Sequence, residues 1–457
     1  MIAPAMFGVA GIALTLALAG SGATDITALG HRSALSTAMS DRVGALDSLT
    51  ITYEVGGVKV IHRPVSVTDV VAVNLYLLGG SRQVTASTAG VEPFLLYASE
   101  YGTQRYPGEA ARRALAHTGS WISVGATPDY TRMTFRGIKQ EFDSTWAVFA
   151  DRLLHPTLDS AAMAITRGQL MTSIKAENES PEDQVARVAD SLAFESHPYA
   201  MPPLGTQASI AALTADDLRK YAAEQMMTSR MLLVVVGDIS RARVEQAVIS
   251  TLGTLPRGSY TWTLPPEWPA KAPRVVTVQR RIPTNYIFGY FSGPLQSSPD
   301  YPAFEVATGY LGSVLQDVVR REGLSYAAGA PLLPYGATGG GIYVSTLRPD
   351  TVVKIINWAI DLIQREPVSR AALVKHAKRY TDSYYYQTES NAELAGVLAN
   401  GQLYNGDFRA PAEYGEVLRK VSSGDVRRVA RQYFKNIQYG YVGDTTRAPV
   451  KLMLKQP

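Results

Sequence analysis

The sequence predicts an α+β protein made of two duplicated α+β domains facing each other across a central cavity. Three observations carry that prediction. Alternating strand patterns give way to long helical periodicity, and two separated stretches echo each other. From Leu213, LTADDLRKYAAEQMMTSRMLLVVVGD is matched by VSSGDVRRVARQYFKNIQYGYVGD from Val421: a Thr or Ser N-cap, an Asp three residues on, a helix, and a strand ending Val-Gly-Asp. A second echo pairs GSWISVGA from Gly119 with GLSYAAGA from Gly323 at a closely similar offset. The third observation is the segment between the halves, LPRGSYTWTLPPEWPAKAPRVV, which is rich in proline and short of periodic signal, as a linker should be.

Each element follows in order. LTITYEVGGVKVIHRPV alternates apolar and polar residues on either side of Gly56-Gly57, a hairpin signature, and DVVAVNLYLLGG is a third strand. GVEPFLLYASEYGTQ, residues 90–104, and YPGEAARRALAHTG then read as helices. SWISVGATPDYTRMTFRGI is two strands joined at Thr127-Pro128-Asp129. Helices are expected over 141–154, 160–177, 182–194 and 215–226, before the buried strand MLLVVVGDI. The domains are placed at 49–262 and 275–457, with the linker at 263–274.

Before the first domain, residues 1–23 read as a signal peptide and 24–48 as a small, polar linker. The first 24 residues hold no charged side chain, and the apolar run from Met6 to Ala19 is short for a membrane span. Small residues at Ala17-Leu18-Ala19 and Ser21-Gly22-Ala23 offer cleavage sites. Export, to a periplasm, is the expectation. An uncleaved membrane anchor is the alternative, because the n-region carries only the α-amino charge. A mitochondrial presequence fits less well still, since the first arginine is Arg32.

Composition excludes several functions. With 457 residues and 46% hydrophobic content the chain is globular and large enough for two domains. The 44 basic and 40 acidic residues nearly cancel and form no long run of one sign, so no nucleic-acid partner is implied. Zero cysteines exclude thiolate metal sites and a cysteine nucleophile. His31, His62, His117, His155, His197 and His376 are scattered singly, so no local histidine pair holds a metal. Neither G-x-S-x-G nor a phosphate-binding P-loop occurs, and Gly339-Gly340-Gly341 reads as a turn before a strand. The tyrosines of YTDSYYYQTES, Tyr380 and Tyr384–Tyr386, could line a groove but read better as packing, and ENESPED reads as an exposed helix end.

The order and spacing of GGSRQ, the helix ending Gly102-Thr103, HPYAMPPLGT, LTADDLRKY leading to VVVGD, and GLSY resemble the pitrilysin and insulinase metallopeptidases (peptidase family M16). That group includes mitochondrial processing peptidase and the core subunits of respiratory cytochrome complexes. The resemblance runs from about Leu49 to Asp444 and implies two related metallohydrolase-like domains. In active members the helix reads G-x-x-H-F-L-E-H, with two zinc-binding histidines and a glutamate base on one helical face. Laid on from Gly90, those slots fall on Pro93, Leu96 and Tyr97, while Phe94-Leu95 match. The third ligand, a glutamate 76 positions beyond the second histidine, falls on Ser173. Proline cannot coordinate zinc, leucine cannot take a proton, and neutral tyrosine and serine are poor ligands. Glu92 and Glu100 are no substitutes, having no paired histidine. No metal or cofactor is therefore expected in this chain.

What the resemblance implies instead is a non-catalytic subunit. Some branches of the family work as pairs in which one chain carries zinc and the other offers an Arg and a Tyr from its second half to hold the peptide. Here the tyrosine slot is Tyr326; the arginine slot falls on Val319, so Arg320 or Arg321 must fill it through a one-residue displacement. Both arginines can equally be a solvated helix end. The expected partners are an active zinc-peptidase homologue or a second copy of the chain, together with a peptide substrate; a membrane is expected only if the leader stays on. The alternatives are an assembly subunit of a membrane complex, like the respiratory core subunits, and a self-sufficient zinc peptidase with unusual ligands.

Overall fold

A computed structural model describes residues 49–325 and 327–455. The expected leader, the linker at 24–48 and Tyr326 thus lie outside the described residues. In the first half, β1 (Ile51–Val55) and β2 (Val58–Arg63) make the hairpin around Gly56-Gly57, and β3 (Val70–Leu78) follows. Then come α1 (Val91–Ala98), α2 (Ala110–Thr118), β4 (Trp121–Ala126) and β5 (Tyr130–Ile138). Five helices succeed them: α3 (Phe142–Leu154), α4 (Ser160–Glu179), α5 (Pro181–Ala193), α6 (Gln207–Ala212) and α7 (Ala215–Gln225). β6 (Met231–Val236) and α8 (Arg241–Ile249) complete it.

The second half repeats the plan: β7 (Arg274–Gln279), β8 (Asn285–Ser292), α9 (Tyr301–Arg321), β9 (Ala328–Gly329) and β10 (Gly339–Thr346). α10 (Pro349–Arg365), α11 (Arg370–Gln387), α12 (Asn391–Asn400), α13 (Ala410–Arg419), α14 (Ser423–Tyr433), β11 (Gln438–Gly443) and α15 (Val450–Leu454) follow. The echoed helices α7 and α14 both open on a reciprocal capping box, Thr214 with Asp217 and Ser422 with Asp425.

Sheet topology shows the duplication directly. The first sheet runs β1-β2-β6-β3-β5-β4 and the second β7-β11-β8-β10-β9. Without β1 the two orders correspond strand for strand, and in each the pair joined from start to end of the half, β2 with β6 and β7 with β11, is parallel while the rest are antiparallel. These are duplicated α+β units, as the sequence predicts. One difference lies at Gly339-Gly340-Gly341, which begin β10 instead of forming a turn. They pair with Ser292, Phe291 and Tyr290 of β8, and a Cβ on Gly340 would stand 2.3 Å from the Phe291 ring. Glycine is used there for close approach of an aromatic ring to the backbone.

Each sheet packs its own helices on one face and receives a helix from the other half on the second. α5 sends Val185 and Ala189 onto Phe288, Tyr290 and Val442 of the second sheet. α12 sends Ala395, Leu398 and Ala399 onto Ile61, Tyr76, Leu232 and Val234 of the first. A polar node reinforces this exchange. The fully buried Asp129, in the β4–β5 turn, accepts through Oδ2 from the Tyr199 hydroxyl (2.7 Å), the Gly336 amide (2.8 Å) and the Tyr404 hydroxyl (3.1 Å). Arg82 approaches its Oδ1 at 3.5 Å, donates to the Thr263 carbonyl and lies over the Trp262 ring. One carboxylate thus ties the first sheet to the loop before β10 and to the helical turn that follows α12, and Arg82 carries the link on to the segment between the halves.

Candidate functional site

Three of the motifs that carry the resemblance, GGSRQ, HPYAMPPLGT and LTADDLRKY, meet around the start of α1. Ser81 of GGSRQ donates to the Met201 carbonyl of HPYAMPPLGT at 2.7 Å. Gly90 has φ 85° and Gly205 φ 82°, and a Cβ on either would strike the other's neighbour, Leu204 O at 2.6 Å or Ala89 O at 2.5 Å. The two segments therefore interlock only as glycines. His197 has one tautomer in this setting: Nε2 donates to Pro266 O (2.9 Å) while Nδ1 accepts from the Tyr199 amide (3.1 Å). Burial holds its pKa below the usual histidine value, so it is a neutral structural group.

α1 itself is an interior helix. Pro93 occupies the first turn, where a missing N–H leaves no helical hydrogen bond unmade. Phe94, Leu95 and Leu96 are fully buried. Tyr97 donates its hydroxyl to Val124 O of β4 at 3.1 Å. Burial, with Glu100 adding to it, pushes that hydroxyl well above the ordinary tyrosine range, so it stays protonated. Ser173 lies on α4, which packs against α1, so the four positions that the resemblance picks out lie on two adjoining helices.

The acids near this helix are engaged elsewhere. Glu92 and Arg230 form a buried ion pair at 2.9 Å, and Tyr221 donates to the same Glu92 oxygen at 3.0 Å. Arg230 also donates to the Leu78 and Gln225 carbonyls, both at 2.9 Å. Glu100 faces the buried Arg152 at 3.7 Å, and Arg152 in turn donates to Leu96 O and Ser99 Oγ at the end of α1. Arginines thus anchor both ends of a helix on which Pro93, Leu96 and Tyr97 are apolar or weakly polar. Pro93, Leu96, Tyr97 and Ser173 supply one protonated phenol and one hydroxyl, a donor set that does not fit zinc. Among the described residues no group of three or more His, Asp or Glu could hold a metal ion.

In the second half, Arg320 and Arg321 form the last turn of α9 and are exposed. Val319, the position where the resemblance puts the arginine, is fully buried in the second core. Tyr326 is outside the described residues. Tyr380 packs edge-on to Tyr414 and donates to Pro411 O (3.0 Å), joining α11 to α13. Two surface clefts of about 510 and 580 Å³ flank α3 and share Arg105, Asp143 and Ala147; neither is lined by a slot residue.

Comparison with known proteins agrees with this geometry. The model of the insulinase family (peptidase family M16) matches residues 59–207, and that of the peptidase M16 inactive domain matches residues 212–380. The chain is 24% identical over 404 residues to the probable mitochondrial-processing peptidase subunit beta of Schizosaccharomyces pombe, covering 84% of this chain and 88% of that protein. A peptidase M16 inactive domain from Pseudomonas fluorescens superposes with a TM-score of 0.79 at 18% identity, over 86% of this chain and 98% of that one. The periplasmic protease PqqL of Escherichia coli gives a TM-score of 0.74 at 16% identity, over 89% of this chain and 49% of that one.

Proposed function

The chain belongs to the insulinase family, peptidase family M16, and from that premise we propose that it is the non-catalytic subunit of an exported zinc-peptidase pair, shaping the peptide-binding chamber of an active partner. One observation carries the reading. The scaffold that would present a metal site is intact, down to the glycine interlock and the arginine anchors of α1, while all four functional slots hold Pro93, Leu96, Tyr97 and Ser173. A chain that keeps the scaffold without the ligands is useful as a wall. Zinc then belongs to the partner, and this chain's share is positioning, which supplies a large part of the catalysis when an extended peptide must be held in line.

Tyr326 with Arg320 or Arg321 is the substrate-holding set in this reading. A guanidinium grips a peptide carbonyl through paired donors, and a phenol adds a single donor. Export rests on the leader at 1–23, with cleavage placing the new N-terminus between Gly20 and Asp25. The likeness to a protein named as a periplasmic protease supports that compartment. Among the described residues no helix is long and apolar enough to cross a membrane.

The test is affinity recovery of the tagged chain from its own organism, followed by peptide cleavage with the recovered partner. Co-purification of a homologue bearing H-x-x-E-H, whose kcat/KM rises when this chain is added and falls with Tyr326→Phe, is the expected result. Recovery within a large membrane assembly, with no such homologue, would replace the proposal with the assembly-subunit reading.

A further inference from the structure

We propose that Arg187, with Gln184 and Glu177 beside it, is this chain's grip on the main chain of an extended peptide. The proposal rests on the chamber-forming role and adds a contact from the first half of the chain. Its starting point is a set of polar atoms with nothing to bond. Arg187 Nε and Nη2, Gln184 Oε1 and Glu177 Oε1 are all shielded from solvent and make no hydrogen bond among the described residues. Buried polar atoms are nearly always paired, and these come as donors and acceptors together.

Their place in the fold gives them a use. Glu177 lies four residues after Ser173 on α4, one helical turn along the same face, so the cluster adjoins the third-ligand slot. The junction ENESPED is the helix end that its composition suggests, with Asn178, Glu179 and Glu182 exposed, but Glu177 within it turns inward. α4 continues to Glu179, Ser180 caps α5 by accepting from the Asp183 amide, and the Glu177 side chain is only 12% exposed. Arg187 then faces Glu177 from α5, with Gln184 three residues before it on the same helix. The nearest Arg187–Glu177 approach, Nη1 to Oε2, is 4.0 Å, too long for a hydrogen bond, so the pair leaves the fork of the guanidinium uncommitted.

A charged ligand suits this cluster poorly. Glu177 and Asp183 stand against an anion, and Arg187 stands against a cation; burial, opposed by Arg187 and reinforced by Asp183, raises the Glu177 pKa. A peptide group is neutral and offers what the cluster lacks: a carbonyl for the Arg187 donors and an N–H for Gln184 or Glu177. The Arg187 side chain keeps 28% of its surface in solvent, so rotation about its outer torsions, without backbone movement, brings the fork to a ligand.

The experiment uses the mature full chain alone and a fluorescein-labelled peptide of glycine, alanine and serine, blocked at both ends so that it has no charged side chain or terminus. Fluorescence anisotropy should show binding, weakened about ten- to a hundredfold by Arg187→Leu and less by Arg187→Lys, which keeps charge without the fork. Arg365→Ala, at an exposed helix end, should leave it unchanged. The same peptide N-methylated at alternate residues should bind the wild type more weakly but lose little further affinity on Arg187→Leu. Circular dichroism confirms that the variants are folded. Unchanged binding in both Arg187 variants, no binding by the wild type, or binding that needs a carboxylate on the peptide would each overturn the proposal. Because no partner is present, a loss of binding at Arg187 would uphold it even if the chain failed to stimulate any peptidase.

Discussion

Asn in place of Asp129 changes one oxygen to an amide at a point where three donors from separate parts of the chain converge. The remaining carbonyl oxygen has two lone pairs, and the new NH₂ is itself a donor. At least one of the Tyr199 hydroxyl, the Tyr404 hydroxyl and the Gly336 amide must therefore lose its acceptor. Arg82 also loses its buried counter-charge. Hydrogen bonds to a charged group contribute about 1.5–3 kcal/mol each, and removing one member of a buried ion pair costs about 3–5 kcal/mol. These terms overlap within one network, so Asp129→Asn is expected to destabilise by about 3–5 kcal/mol and not by their sum. Urea unfolding followed by tryptophan fluorescence is the assay. Trp262 and Trp268, which donate to Leu403 O and Thr338 O across the same boundary, report on it directly. Tyr404→Phe should lose about 1.5–3 kcal/mol in the wild type and much less in the Asp129→Asn background. A loss under about 1 kcal/mol for Asp129→Asn, or strict additivity with Tyr404→Phe, would refute the reasoning.

Three further outcomes follow from other sites. Asp190 is pushed up to about 7, chiefly by burial against the second sheet, with the Tyr290 hydroxyl and Arg187 opposing; the folded state therefore binds a proton that the unfolded state releases, and stability should fall as pH rises from about 4 to 7, by less than about 4 kcal/mol, with Asp190→Asn flattening that slope in pH-dependent urea titrations. Gly340→Ala, whose Cβ would meet the Phe291 ring at 2.3 Å, should cost about 1–3 kcal/mol in the same denaturation assay. Arg230→Met leaves Glu92 as an uncompensated buried charge and should cost about 3–5 kcal/mol, most of it recovered when Glu92→Leu is added, as read by thermal melts of the single and double variants.

Much of the fold was legible because it is written in local signals. Period-two alternation marks the hairpin of β1 and β2, and the capping boxes at Thr214 and Ser422 announce the duplicated helix and strand before any contact is known. What stayed hidden depends on partners distant in sequence. α5 is readable as a helix, yet nothing in PEDQVARVADSLA says that it covers the other half's sheet. Asp129 reads as an ordinary turn residue, and its bonds to Gly336 and Tyr404 reach across more than 200 residues. Gly339-Gly340-Gly341 carries a turn composition, but its role is set by aromatic rings on β8. The positions expected as slots on α1 come from the spacing implied by the family resemblance. Their burial, and the capture of Glu92 by Arg230, needed the structure.

The central claim is that this chain performs no zinc chemistry of its own, and one measurement addresses it most directly. The mature chain, purified without chelator in buffer supplemented with zinc, is passed over gel filtration, and its metal content and peptide cleavage are measured on the same fractions. With Pro93, Leu96, Tyr97 and Ser173 in the four slots, the account predicts zinc far below one equivalent and no cleavage above background. Near-equimolar zinc that survives gel filtration, together with cleavage abolished by chelator, would contradict it.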